Sequence, residues 1–226
     1  MNRSLKPILF GVVAVALIFG LFARNAFSGP TALPKPTVDE QPGTTKSETV
    51  VFAGGCFWGI QAVFEHIKGV TKTTAGFSGG NVKGPSYDDV SSGQTGHAES
   101  VEVVYDPSQV TFGQLLNVFF SVAHDPTELN RQGPDEGTQY RSAIFFETPD
   151  QERIAKAYVD QLTQAKSFSH PIVTQIVPFK AFYRAEDYHQ DFALHNPGNM
   201  YIMINDAPKV SNLKKQFPDL YQKYPR

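Results

Sequence analysis

Cys56 is the residue of this chain best suited to covalent chemistry. It lies in the glycine-rich stretch 54–59, beside the single tryptophan, Trp58, and it is the only cysteine among 226 residues. The apolar run 49–53 predicts a buried strand, and apolar residues at helical spacing predict a helix over 57–67. A thiol at such a strand-to-helix turn lies near the helix N-terminus, where the helix dipole and free N–H groups favour the thiolate. We therefore expect a pKa for Cys56 below the free value of about 8.5 and a candidate nucleophile. The alternative is a buried core cysteine.

Three further polar groups contain side chains that could support such a nucleophile. Residues 93–99 end in a carboxylate, Glu99, at the start of a predicted strand, and residues 133–141 combine an aspartate, a tyrosine and an arginine. Long loops inside compact domains are usually functional. Taken singly, each loop also fits an ordinary solvated connection. Residues 186–190 are most simply interpreted as an exposed helical turn.

Together these groups form an ordered pattern that matches a known family. The matching motifs are Gly55-Cys56-Phe57-Trp58-Gly59, Gly76-Phe77-Ser78-Gly79-Gly80, Thr95-Gly96-His97-Ala98-Glu99, Gly137-Thr138-Gln139-Tyr140-Arg141-Ser142-Ala143 and Glu186-Asp187-Tyr188-His189-Gln190. In order and spacing the chain resembles the A-type peptide methionine sulfoxide reductases over residues 48–209. That family reduces methionine sulfoxide, free or in proteins, with a preference for the S epimer at sulfur.

The resemblance implies a role for each matching polar residue. Cys56 is the nucleophile that attacks the sulfoxide sulfur, which requires a thiolate. Glu99 is the acid that protonates the sulfoxide oxygen, so it must keep its proton at neutral pH. Tyr87 and Tyr140 match the tyrosines that hydrogen-bond this oxygen, and Asp135 matches a carboxylate that orients the site.

The resemblance also implies a substrate-binding wall. Phe57 and Trp58 match the aromatic rings that receive the substrate methyl group, and contacts between sulfur and aromatic rings suit such a ligand. Ordinary core packing is the alternative for these two rings. For Tyr188 and His189, structural support of the site and direct contact with the substrate both remain open.

A single cysteine limits how the reaction can finish. Attack on the sulfoxide leaves a sulfenic acid at Cys56. Many relatives resolve it with further cysteines, but Ser91 stands where several have one, and residues 196–226 contain no thiol. We therefore expect an external thiol, either a thioredoxin-like protein or a small thiol, to be the reductant. A one-cysteine thiol peroxidase and a tethered methionine-binding module are the competing functions.

The predicted elements that must position these residues indicate an α/β fold. We expect a two-layer α+β sandwich with a ferredoxin-like split β-α-β core. The predicted strands cover 49–53, 70–77, 98–105, 141–147 and 172–177. The predicted helices cover 57–67, 86–91 and a segment through 120 that begins at the capping box of Thr111 and Gln114, and a fourth begins at Thr148-Pro149.

Composition and the N-terminal sequence set the wider expectations. Residues 8–23 are apolar and uncharged, so residues 1–23 predict a signal peptide or membrane anchor. A flexible, proline-containing linker is predicted over 24–47 and the catalytic domain over 48–226. We expect an exported protein, either anchored and facing the periplasm or cell exterior, or released after cleavage. A net charge of −2 does not favour nucleic-acid binding, and the histidines are too scattered to predict a metal site. We expect a monomer without a cofactor.

Overall fold

A computed structural model describes residues 33–41 and 47–223. Within these ranges, the strands are β1 (Glu48–Gly54), β2 (Val70–Ser78), β3 (Ala98–Tyr105), β4 (Arg131–Gln132), β5 (Asp135–Glu136), β6 (Ser142–Phe146), β7 (Gln175–Pro178) and β8 (Phe182–Arg184). The α-helices are α1 (Phe57–Glu65), α2 (Tyr87–Ser91), α3 (Phe112–Val118), α4 (Pro149–Gln164), α5 (Phe192–His195) and α6 (Ala207–Gln216). Short π-helical segments at Phe119–Ala123 and Ile202–Asp206 follow α3 and precede α6.

Six of the strands form one mixed sheet in the order β7-β6-β1-β3-β2-β8. Strand β3 lies between β1 and β2 and pairs antiparallel with both. Strands β1 and β2, which α1 connects, therefore run parallel to each other. Strand β6 is antiparallel to β1 and parallel to β7. The fold is therefore a mixed α/β fold, as the sequence predicts at this level.

The main core lies between the sheet and the helices. Along β1, Val50 and Phe52 belong to this core, whereas Val51 and Ala53 belong to a smaller cluster on the opposite face. This alternation follows from the two-residue period of a strand. The ring of Phe52 stacks on Phe64 of α1 with centroids 4.8 Å apart. This packing fixes α1, and with it the turn that carries Cys56, against the sheet.

Local sequence signals place most helix starts correctly. The capping box at Thr111 is present, with its hydroxyl accepting from the N–H of Gln114, and α4 begins with Pro149 at its first turn. The helix predicted over 57–67 ends earlier, at Glu65. Beyond it, Ile67 forms an antiparallel β-bridge with Tyr221. The strand predicted at 172–177 begins only at 175.

Residues 33–41 of the predicted linker pack against the domain. The carboxylate of Asp39 accepts from the N–H of Gly113 at 2.8 Å, and Glu40 accepts from the N–H of Phe112 at 2.7 Å. The hydroxyl of Tyr158 donates to the carbonyl of Pro34 at 2.9 Å. Acidic side chains therefore satisfy the first N–H groups of α3, which have no partner within the helix. The domain boundary at residue 47 itself stays a prediction.

The predicted signal or anchor, residues 1–23, lies outside the described residues. Among the residues that are described, no helix combines the length and apolar character needed to cross a bilayer.

Candidate active site

Cys56 occupies the N-cap position of α1, two residues after the end of strand β1. The turn depends on Gly55, whose φ of +95° lies in a region that side chains disfavour. A Cβ atom there would also lie 2.5 Å from carbons of the Gln132 side chain. The strand-to-helix turn predicted from the sequence is confirmed.

The predicted acidity of Cys56 is wrong. Cys56 is only 8% exposed, and burial raises the pKa of its thiol well above the ordinary value. The negative charges of Glu99 and Asp206 raise it further, and a hydrogen bond from the backbone of Trp58 opposes them. Desolvation of the thiolate therefore outweighs the helix N-terminus. The thiol of Cys56 therefore keeps its proton at neutral pH.

Glu99 lies at the start of β3, beside the cysteine turn. Its Oε2 accepts a hydrogen bond of 3.0 Å from the N–H of Phe57, the residue that follows Cys56. The side chain is buried, and desolvation raises the pKa of Glu99 to about 8, against the lowering effect of the Phe57 N–H. The charges of Asp135 and Asp206 also raise it. Glu99 therefore carries a proton at neutral pH.

Two predicted tyrosines are electrostatically coupled to this centre. Burial and the charge of Glu99 raise the pKa values of Tyr87 and Tyr140, and the charge of Cys56 contributes to both. Both side chains are half-buried and hold their phenolic protons at neutral pH. They are therefore suited to donate hydrogen bonds to an oxygen bound between Cys56 and Glu99.

Asp135 has a partner that sequence reasoning missed. The hydroxyl of Tyr201 donates a short hydrogen bond to Asp135 Oδ2, across 66 residues of chain. Burial and the charge of Cys56 raise the pKa of Tyr201. No motif around Tyr201 indicated this role, because the contact depends on how the C-terminal segment folds back over the site.

Phe57 and Trp58 make different contacts. Phe57 is buried, and its ring lies 5.9 Å from Phe77 and 5.0 Å from His189, which is core packing at the floor of the site. Trp58 is half-buried and stacks on Phe192 at 3.8 Å. Both rings lie next to the cysteine turn, and their contact with the substrate methyl group stays a prediction.

The turn at 186–190 is helical, but the prediction that it is exposed is wrong for His189. This residue is 2% exposed, and its Nδ1 accepts a hydrogen bond of 3.1 Å from Trp58 Nε1. Burial lowers the pKa of His189, so the ring is neutral and holds the indole in place. Tyr188 is 62% exposed and lies outside the buried centre, with its ring 4.1 Å from that of His189.

The comparisons with known proteins identify the family of this chain. The family model described as peptide methionine sulfoxide reductase matches residues 48–221. The chain belongs to the peptide methionine sulfoxide reductase family. Membership decides against the thiol peroxidase and the binding module as competing functions.

Similar sequences and structures cover most of the chain. A peptide methionine sulfoxide reductase MsrA 2 of Mesorhizobium japonicum is 60% identical over 79% of this chain and 92% of its own length. A second MsrA 2, from Synechocystis, is 49% identical over 92% of this chain and 97% of its own length. The structure is similar to methionine sulfoxide reductase A of Corynebacterium diphtheriae, with a TM-score of 0.59, 39% identity and coverage of 74% and 84% of the two chains. It is also similar to reduced Mxr1 of Saccharomyces cerevisiae, with a TM-score of 0.63, 33% identity and coverage of 70% and 91%.

Proposed function

We propose that this chain reduces the S epimer of methionine sulfoxide, free or in proteins, by attack of Cys56 on the sulfoxide sulfur. The observation that carries the proposal is the buried Glu99, whose pKa of about 8 leaves it protonated beside the cysteine turn. A sulfoxide oxygen leaves sulfur only when it is protonated, so the reaction requires an acid at this position.

The reaction moves two protons, one from the carboxyl group of Glu99 and one from the thiol of Cys56. Glu99 gives its proton to the sulfoxide oxygen while Cys56 Sγ forms a bond to the substrate sulfur. The thiol proton returns to Glu99, and transfer of the hydroxyl group to Sγ releases methionine. The substrate sulfur is reduced by two electrons, and Cys56 is oxidised to a sulfenic acid.

Substrate binding explains how a thiol with a raised pKa becomes a nucleophile. Glu99 already carries its proton at neutral pH, so its charge does not oppose the thiolate before the proton is transferred. The sulfoxide sulfur also carries a partial positive charge, which favours a thiolate at contact distance. The thiolate therefore forms when substrate occupies the site.

An external thiol completes the cycle in this proposal. The chain contains one cysteine, so no internal disulfide can resolve the sulfenic acid. A thioredoxin-like protein or a small thiol attacks Cys56 Sγ, releases water and forms a mixed disulfide, which a second thiol reduces. Mass spectrometry of enzyme oxidised by methionine sulfoxide should detect this adduct with each reductant. Turnover without any adduct would contradict the proposal.

The main experiment measures reduction of each epimer of a blocked methionine sulfoxide. We expect turnover of the S epimer by the parent protein and none by Cys56→Ser, which keeps the size of the side chain and removes the sulfur nucleophile. Full activity in Cys56→Ser, or no activity of the parent on the S epimer, would refute the proposed function.

We also propose that residues 1–23 direct export and that the domain acts as a monomer with a ferredoxin-like core. The apolar, uncharged run 8–23 supports export. In that compartment the enzyme would repair oxidised envelope proteins. Fractionation of cells that express the full chain tests this placement, and recovery only from the cytoplasm would contradict it.

A further inference from the structure

A buried ion pair lies outside the residues that the sequence singled out. Lys209 Nζ is 3.2 Å from Asp206 Oδ1, one turn apart at the start of α6. The Asp206 side chain is 0% exposed and that of Lys209 is 18% exposed. Because removing both charges from water is costly, such a pair is weak evidence for stability. Its position in the site therefore requires another explanation.

The pair packs directly on the helix that carries Cys56. A Cβ atom at Gly59, in the first turn of α1, would collide with Asp206 Oδ1 and lie 2.8 Å from Lys209 Nζ. Gly59 is three residues from Cys56, which is about one helical turn. The glycine thus gives both charges close access to the backbone of α1, about one turn from Cys56.

Several titratable groups face this pair and the thiol. Around Cys56 and Asp206 the electrostatic partners are Glu99 on β3, Asp135 on β5, Tyr87 on α2, Tyr140 before β6 and Tyr201 before α6. Lys209 also faces His124, whose pKa burial lowers to about 3, so that ring is neutral. Among the described residues, Lys209 is the cation whose charge acts on both Cys56 and Asp206.

The two members of the pair act on the thiol in opposite directions. The charge of Asp206 raises the pKa of Cys56, and the charge of Lys209 lowers it. Within the described residues, Asp206 Oδ2 is buried without a hydrogen-bond partner. The ammonium group of Lys209, which donates to Oδ1, is therefore the main group that offsets the negative charge of Asp206.

We propose that Lys209 is a positioning residue whose ammonium group stabilises the Cys56 thiolate, and that Asp206 holds this ammonium against Gly59 and limits its effect. The proposal rests on Cys56 as the nucleophile of the proposed function. In this arrangement the thiolate formed on substrate binding has a fixed countercharge beneath it, at the base of α1.

The single cysteine allows a direct test, because alkylation by iodoacetamide reports on Cys56 alone. The rate is measured against pH for the full chain and its variants. Asp206→Asn should lower the midpoint of the thiol titration and speed alkylation at neutral pH about tenfold, the equivalent of one pKa unit. Adding Lys209→Met to Asp206→Asn should reverse this change, whereas adding Lys209→Arg should preserve it. Lys215→Met, an exposed lysine of α6, is the matched control and should leave the titration unchanged.

A purely structural ion pair would not give changes of opposite sign. If Asp206→Asn leaves the midpoint unchanged or raises it, or if Lys209→Met does not reverse its effect, the proposal is overturned. Should Asp206→Asn not fold, Lys209→Met is compared with Lys209→Arg. A higher midpoint in the methionine variant supports the proposal, and equal midpoints overturn it. Alkylation needs no sulfoxide, so these results are independent of whether the parent reduces methionine sulfoxide.

Discussion

Replacing Glu99 by glutamine should stabilise the protein while it stops the chemistry. Glutamine is neutral and nearly the same shape as the protonated acid, and its carbonyl oxygen can still accept from the N–H of Phe57. It cannot give a proton to the sulfoxide oxygen. The substitution therefore separates the role of Glu99 as an acid from its role in packing.

The size of the effect follows from the pKa of Glu99, which rises from 4.5 to about 8 on folding. A carboxyl group with a raised pKa binds its proton more tightly in the folded state, so its contribution to stability is lost as pH rises between these two values. The loss is about 1 kcal/mol at pH 5, about 3 kcal/mol at pH 7 and about 4 kcal/mol at pH 8. Glutamine does not titrate, so Glu99→Gln should avoid this loss.

Urea unfolding at several pH values measures the difference between the parent and Glu99→Gln. We expect the variant to be more stable, by an amount that grows by about 3 kcal/mol between pH 5 and pH 8. Single-turnover reduction of a blocked sulfoxide should fall about 100-fold or more, because general acid catalysis is lost. Substrate affinity should change little.

Glu102→Gln is the matched control, since Glu102 lies on the same strand but points to the other face of the sheet. It should change neither the single-turnover rate nor the pH dependence that distinguishes Glu99. A stability difference for Glu99→Gln that is the same at both pH values would refute the raised pKa. An unchanged single-turnover rate would refute the acid role.

Three smaller perturbations test the supporting contacts. Trp58→Phe removes the donor to His189 Nδ1 and should cost about 1 kcal/mol in urea unfolding and raise KM; no change in either would contradict the role of this bond. Tyr201→Phe removes the hydroxyl that donates to Asp135 and should lower kcat/KM more than stability, whereas equal activity would leave Tyr201 without a role in the site. Asp39→Ala should cost about 1 kcal/mol because α3 loses a cap, and an unchanged unfolding midpoint would show that this cap adds no stability.

The sequence predicts the local frame of the site well. The strand and the helix start follow from short-range rules, so the position of Cys56 at the helix N-terminus is recovered. Glu99 at the start of β3 follows from the alternation of its strand. These features depend on residues close in sequence.

The environment of Cys56 is not local, and there the prediction failed. The helix N-terminus is visible in the sequence, but the burial that outweighs it comes from elements distant along the chain. Asp206 lies 150 residues after the cysteine and approaches it only because Gly59 leaves room. Tyr201 and Lys209 escaped notice for the same reason: the C-terminal segment carries no thiol, and its folding back over α1 has no signature in the sequence.

The raised pKa of Cys56 also suits a chain with a single cysteine. A permanently ionised, accessible thiolate reacts with any oxidant and has no neighbouring thiol here to reverse the damage. In this site the thiol is buried and protonated, and Glu99 keeps its own proton at neutral pH. Both protons are used only when a sulfoxide accepts one at oxygen and offers an electrophilic sulfur to Sγ. Burial therefore does more than oppose the helix dipole, because it makes the reactivity of Cys56 depend on the substrate.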